Sequence, residues 1–244
     1  MPEINVILLG FALSIVAFLY SSVGHAGASG YIAVMTLFGA NFIEIKPIAL
    51  TLNILVASVT AYQFWRAGYF SWSLFFPFAL LSVPAAFFGG FLNLPIAWLR
   101  ILLGSVLLFS AFRFFYDPRE TEHPAKPRKV IALLSGAMIG LLSGFTGTGG
   151  GIFLTPLMLS LRWARTKPAA AVSAMFILVN SIAGLIGNFT ATKKLPPSVW
   201  LFACCVIVGG SLGSYYGSNR YPVAWVKRSL AAVLAIAGIK LVMN

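Results

Sequence analysis

Two stretches of this 244-residue chain concentrate the residue types that could hold a small anion. The first is Gly24-His25-Ala26-Gly27-Ala28-Ser29-Gly30, and the second is Gly144-Phe145-Thr146-Gly147-Thr148-Gly149-Gly150-Gly151. Glycine lets backbone come close to a ligand, and runs of glycine interrupt a helix. A helix that restarts after such a break has unpaired N–H groups and the positive end of its dipole at one place, which together favour an anion. Gly27, Ser29 and Gly30, with Thr148, Gly149, Gly150 and Gly151, are therefore the candidate binding positions. Glycines at such spacing also serve close helix packing. The length of the stretches, the broken helix and the recurrence favour a site. A branched residue at Gly150 is thus expected to block the anion and leave the fold intact. Gly136, in an ordinary helical stretch, is expected to accept the same change.

Few polar side chains accompany these glycines inside apolar segments. Asn53, Ser173 and Asn180 are the candidates for orienting hydrogen bonds to the anion. Gln63 and Asn188 fall near segment ends and read as interfacial, and Thr51 carries little weight. His25, with an ordinary pKa of about 6.5, is the candidate proton carrier. Cys204 and Cys205 are adjacent, so on a helix they point in different directions, and they read as packing residues. No metal-ligand spacing, carboxylate pair or nucleophile–base set is evident. An enzyme is disfavoured, and no metal or cofactor is expected. The five acids, Glu3, Glu44, Asp117, Glu120 and Glu122, fall in termini, loops or the linker between halves. A cation pathway usually places a carboxylate inside the membrane, so the substrate is expected to be an anion.

The elements that carry these residues are membrane helices. Apolar types make up 59% of the chain, and charged residues only 9%, against about 25% in an average soluble domain. Mean hydropathy is +0.92. Such a chain cannot build a charged shell, which excludes a soluble enzyme, a nucleic-acid-binding domain and a disordered protein. A barrel would alternate and read less apolar. The formal charge of +12 comes from residues lying between apolar stretches, where Lys and Arg set topology. Ten segments emerge, at 4–22, 28–40, 47–65, 72–91, 95–116, 130–146, 150–161, 168–187, 198–218 and 223–243. The first lacks the positively charged leader of a signal peptide and reads as a retained helix. Segments 28–40 and 150–161 are too short to span a bilayer, which needs about 20 residues.

The two halves repeat. A shift of 121 aligns Gly30, Lys46, Pro47 and Ala49 with Gly151, Lys167, Pro168 and Ala170. A shift of 127 aligns Pro95, Ala97, Trp98 and Arg100 with Pro222, Ala224, Trp225 and Lys227, so extra residues are expected around 190–197. The two tryptophans read as interface anchors. The expected organisation is a first membrane repeat over 1–116, a cytoplasmic linker over 117–129 and a second repeat over 130–244. An odd number of crossings per half splits the Lys and Arg residues 12 against 5 between the two sides. An even number splits them 8 against 9. Cytoplasmic loops carry the excess, so the repeats are expected to be inverted, with both termini outside. The expected fold class is an all-α polytopic membrane protein of two inverted repeats, about five helical segments each, with short broken helices at the centre.

Gly147-Thr148-Gly149-Gly150-Gly151, followed by Ile152-Phe153-Leu154-Thr155-Pro156-Leu157, resembles the signature of the sulfite exporter TauE/SafE family, also called the toluene-sulfonate uptake permease family. Lys167-Pro168, Ala169-Ala170-Ala171 and Ser173 fit it too. His25 and Ser29 stand where fuller glycine runs are common in the first half. The resemblance implies a transporter of sulfur-containing anions such as sulfite, thiosulfate or organosulfonates. Together, residues and resemblance lead to a secondary transporter in the cytoplasmic (inner) membrane, working by alternating access. The alternative is an anion channel with the same glycine-lined site. The expected partners are a small anion and the lipid bilayer, without nucleic acid and with room for a homo-oligomer.

Overall fold

The computed structural model describes residues 6–40, 42–91, 105, 108, 111, 112, 115, 124–188 and 195–243. Among the described residues there are helices and connecting turns, and no strand. In chain order the helices are α1 (Val6–Ser22), α2 (Ala28–Leu37), α3 (Phe42–Arg66), α4 (Trp72–Phe91), α5 (Lys129–Thr146), α6 (Gly151–Ser160), α7 (Thr166–Gly187), α8 (Val199–Tyr215) and α9 (Val223–Met243). A π-helical turn, Tyr216–Arg220, extends α8. The expected segment 95–116, with Trp98 and Arg100, lies mostly outside the described residues. Within it, Ser105, Leu108, Ala111, Phe112 and Phe115 are helical. Most of the linker and of the expected insertion near 190 also lie outside them.

Five described helices are long and apolar enough to cross a membrane: α3, α4, α5, α7 and α8. Their outer faces carry large apolar side chains. Trp65, Leu80, Phe88, Met138 and Trp200 are all more than half exposed. On a water-soluble protein that surface would aggregate. In hydrocarbon it is the solvated face.

Glycine sets how closely the helices approach. On α5, Gly136, Gly140 and Gly144 lie against the backbone carbonyls of Phe78, Ser82 and Ala86 on α4. On α8 and its π-turn, Gly209, Gly213 and Gly217 lie against those of Ser14, Phe18 and Ser22 on α1. Both stripes step by four residues, so each keeps one face. The Gly136 expectation is therefore overturned, because even a methyl group there would overlap the Phe78 carbonyl. Sequence spacing alone hid this, since α5 looks unremarkable until α4 is laid on it.

Partners are taken across the midpoint of the chain. α4 lies along α5 and also packs on α7; α1 lies along α8, which also packs on α3. α3 and α7 pack on each other, and the short helices α2 and α6 rest on α3 and α7 respectively. Among the long helices, α3 and α7 are the most enclosed. They therefore position whatever lies at the centre.

Both central helices begin earlier than the prolines Pro47 and Pro168 imply. Pro168, third in α7, removes only an N–H that the first turn leaves unused, and Pro47, sixth in α3, lies inside the helix at the loss of one ladder hydrogen bond, so neither marks the boundary. As a result Lys46 and Lys167 lie inside helices, where the charge pattern reads them as loop residues. Glu44 likewise sits in the first turn of α3, half-buried, where the dipole favours an acid.

Candidate functional site

Each short helix is preceded by a break built on left-handed glycines. In the first break Gly24 and Gly27 have φ of 81° and 101°. The turn is closed by the His25 N–H donating to the Tyr20 carbonyl at 2.9 Å. In the second, Gly147 ends α5 with φ 73°, its N–H donating to the Ser143 carbonyl. Gly149 and Gly150 then hold φ of 79° before α6 restarts at Gly151. An L side chain rarely adopts this backbone, so these positions require glycine for conformation as well as space.

The two breaks meet. His25 Nε2 lies 3.0 Å from the Gly151 carbonyl oxygen, and the ring is buried. A carbonyl only accepts, so Nε2 carries the proton. Asn53, fully buried on α3, makes the second connection. Its Oδ1 accepts from the Ala28 N–H at the start of α2, 3.2 Å away. Its Nδ2 donates to Ser181 Oγ on α7 at 2.8 Å and reaches the Thr148 carbonyl at 3.5 Å. One amide thus touches the first break, the second break and the helix behind it. Gly149 is the contact point: a methyl group there would sit 2.5 Å from Asn53 Nδ2, 2.7 Å from Ile177 Cγ2 and 2.9 Å from Ser181 Oγ.

Other candidates divide between this junction and its surroundings. Ser173 accepts from Thr155 Oγ1 at 2.6 Å, tying α6 to α7, and its carbonyl lies beside Gly151. Ser29 donates to the Tyr20 hydroxyl at 3.0 Å, and Gly30 packs on Val16, so both turn towards α1. Gly27 lies under the Tyr31 ring, whose hydroxyl donates to the Ala26 carbonyl. Thr146 donates to the Leu142 carbonyl at 2.8 Å, and the Thr148 hydroxyl lies 2.9 Å from Thr146 Oγ1. Asn180 donates to Phe176 of its own helix at 2.9 Å, and its Oδ1 has no partner among the described residues.

Gly150 does not line open space. A methyl group there would come 3.0 Å from both Ile139 Cγ2 and Phe176 Cε1, on a left-handed backbone. The expectation that valine at Gly150 leaves the fold intact is therefore overturned by packing and backbone strain together. Gln63 reaches the Ser211 carbonyl at 3.2 Å and joins α3 to α8. Cys205 packs its Sγ on Gly10, while Cys204 is exposed, so only one of the two is a packing residue. Among the described residues no three His, Cys, Asp or Glu side chains cluster as metal ligands.

Sequence reading missed Ser181 and Thr155. Ser173, Ile177 and Ser181 step by four along α7 and share a face. That pattern was available, and what the face touches was not.

The fold and the junction define a multi-pass helical membrane protein whose two glycine-broken helices are clasped together by buried polar side chains. Residues 7–241 match the sulfite exporter TauE/SafE family. A probable membrane transporter protein of Sinorhizobium fredii is 39% identical over 96% of both chains. Another, from Methanocaldococcus jannaschii, is 25% identical over 69% of this chain and 67% of its own. A sulfite exporter TauE/SafE family protein of Arabidopsis thaliana is 31% identical over 40% of this chain and 23% of its own. No solved structure matches significantly. The chain belongs to the sulfite exporter TauE/SafE family of membrane transporters.

Proposed function

We propose that this protein is a secondary transporter that moves a small sulfur-containing anion, of the sulfite, thiosulfate or organosulfonate class, across the cytoplasmic membrane by alternating access. The observation that carries this reading is the meeting of the two broken helices at Asn53 and His25. It gathers the starts of α2 and α6, each with N–H groups outside its own ladder, beside one buried amide. In this reading the repeats, 1–116 and 130–244, are inverted about the 117–129 linker and rock against each other at α3 and α7. The anion takes over donors that Asn53, Ser181 and the glycine backbone now share among themselves. His25 is the proton carrier if flux is coupled to protons. Membership of the family supports the substrate class, and the acid-poor sequence supports an anion over a cation.

The test is a thermal-shift and calorimetric titration of purified protein with sulfite, thiosulfate, small sulfonates, sulfate and carboxylates. A ligand at 100 times its Kd stabilises the folded state by about 2.7 kcal/mol. We expect the sulfur anions to do so and Ser181→Ala to weaken them. Stabilisation by Na⁺ or K⁺ salts regardless of the anion would sink the reading.

A further inference from the structure

We propose that Lys46 is an anion-contacting residue, its ammonium forming an outer subsite for a small oxyanion at the edge of the glycine junction, on the path to Asn53. The proposal rests on the transporter reading above. Ile45, Pro47, Ile48, Ala49 and Leu50 are all buried, so α3 is enclosed by protein on every side here, and Lys46 alone in this run is half-buried. Lys46 is thus the one residue of this enclosed run with exposed surface. Its stem crosses the second break: a methyl group at Gly147 would lie 3.1 Å from Lys46 Cγ and 3.7 Å from Leu50 Cγ. Lys46, Leu50 and Asn53 step by four and three residues and share one face. Asn53 follows about 10 Å further along the helix, against Gly149 and Thr148. One face of α3 thus lays a cation and then an amide along the same glycine turn.

Glu44, the one acid among the described residues, forms no ion pair with Lys46 and, two positions away, does not share its helix face. A cation near a helix start opposes the dipole. A partly desolvated ammonium calls for a counter-charge, and an oxyanion supplies one where the dipole adds to the attraction. The matched Lys167 is held differently. It donates to the Ser218 carbonyl at 3.1 Å and the Tyr69 hydroxyl at 3.4 Å, and lies 5.1 Å from the Tyr69 ring centre.

The experiment compares wild type, Lys46→Gln, Lys46→Met and Lys46→Arg in proteoliposomes. It reads the initial rate against sulfite and thiosulfate concentration at low and physiological ionic strength, with melting in detergent as the check on folding. Loss of a contact made equally in ground and transition states raises KM and spares kcat. We expect KM to rise about tenfold in the Gln and Met proteins, kcat to stay within about twofold, and Arg to restore KM. The wild-type KM should rise with salt more steeply than that of the neutral variants. A folded neutral variant with wild-type KM and salt dependence overturns the subsite and leaves the transporter reading standing. Wild-type protein that neither binds nor moves any of the oxyanions overturns both.

Discussion

Asn53 carries three hydrogen bonds with one side chain, and two of them, to the Ala28 N–H and the Ser181 hydroxyl, are buried. Replacing it by leucine keeps the branched shape, adds some bulk and removes the partners of the Ala28 N–H and the Ser181 hydroxyl. Each orphaned group costs about 1–3 kcal/mol, so a lowered melting temperature is expected for Asn53→Leu, with a smaller drop for Ser181→Ala. Wild-type melting of the leucine variant would mean water or lipid reaches these groups. His25 separates from this cluster by its chemistry. Glutamine can still donate an N–H to the Gly151 carbonyl but cannot titrate. If His25 carries the coupled proton, the pH dependence of flux flattens in His25→Gln while stability holds. An unchanged pH profile would assign the histidine to holding the two breaks together.

At the scale of elements, glycines of two kinds do different work. Those at Gly147, Gly149 and Gly150 set backbone conformation at the break. Those on α5 and α8 set the distance to α4 and α1. Valine at Gly140 would meet the Ser82 carbonyl, and valine at Gly213 the Phe18 carbonyl. Backbone cannot rotate away as a side chain can, so a loss at or above the upper end of about 1–3 kcal/mol for overpacking is expected. Gly68→Asn is the comparison: nothing lies within 4 Å of an added methyl group, and asparagine tolerates its φ of 80°. Melting in detergent should fall for Gly140→Val and Gly213→Val and stay near wild type for Gly68→Asn. Equal melting of all three would mean the helix pairs are looser than their backbone contacts imply.

For the whole molecule, the open matter is which way the halves face. From the 12-to-5 division of Lys and Arg we expect the termini outside and the linker inside. Moving Lys46 and Lys167 from loops into helices removes one residue from each side of that count, so the bias survives. A cysteine introduced at Glu122 should react with a membrane-impermeant reagent only from the cytoplasmic side, and one at Asn244 only from outside. The background must lack Cys204, which is exposed, and Cys205. Both positions reacting from one side would rule out inverted halves.

Composition settled the class, because a chain with 9% charged residues has no means of covering its apolar surface with water-compatible groups. The apolar runs gave nearly every described helix to within a few residues, and the two glycine stretches marked both breaks, since conformation at a glycine run is a local property. What lay beyond the sequence was contact. Nothing in the spacing distinguishes Gly136, pressed on α4, from a tolerant helical position. Nor does it tell Ser173 and Ser181, which face the break, from Asn180, which turns back on its own helix. Lys46 and Lys167 look like loop charges until helix propagation through the neighbouring proline brings them inside. These outcomes depend on which helix lies opposite, and in this fold that partner is mostly drawn from the other half of the chain, a hundred or more residues away in several pairs. Short-range pattern fixes local conformation, and only the tertiary arrangement decides which buried polar group finds a partner.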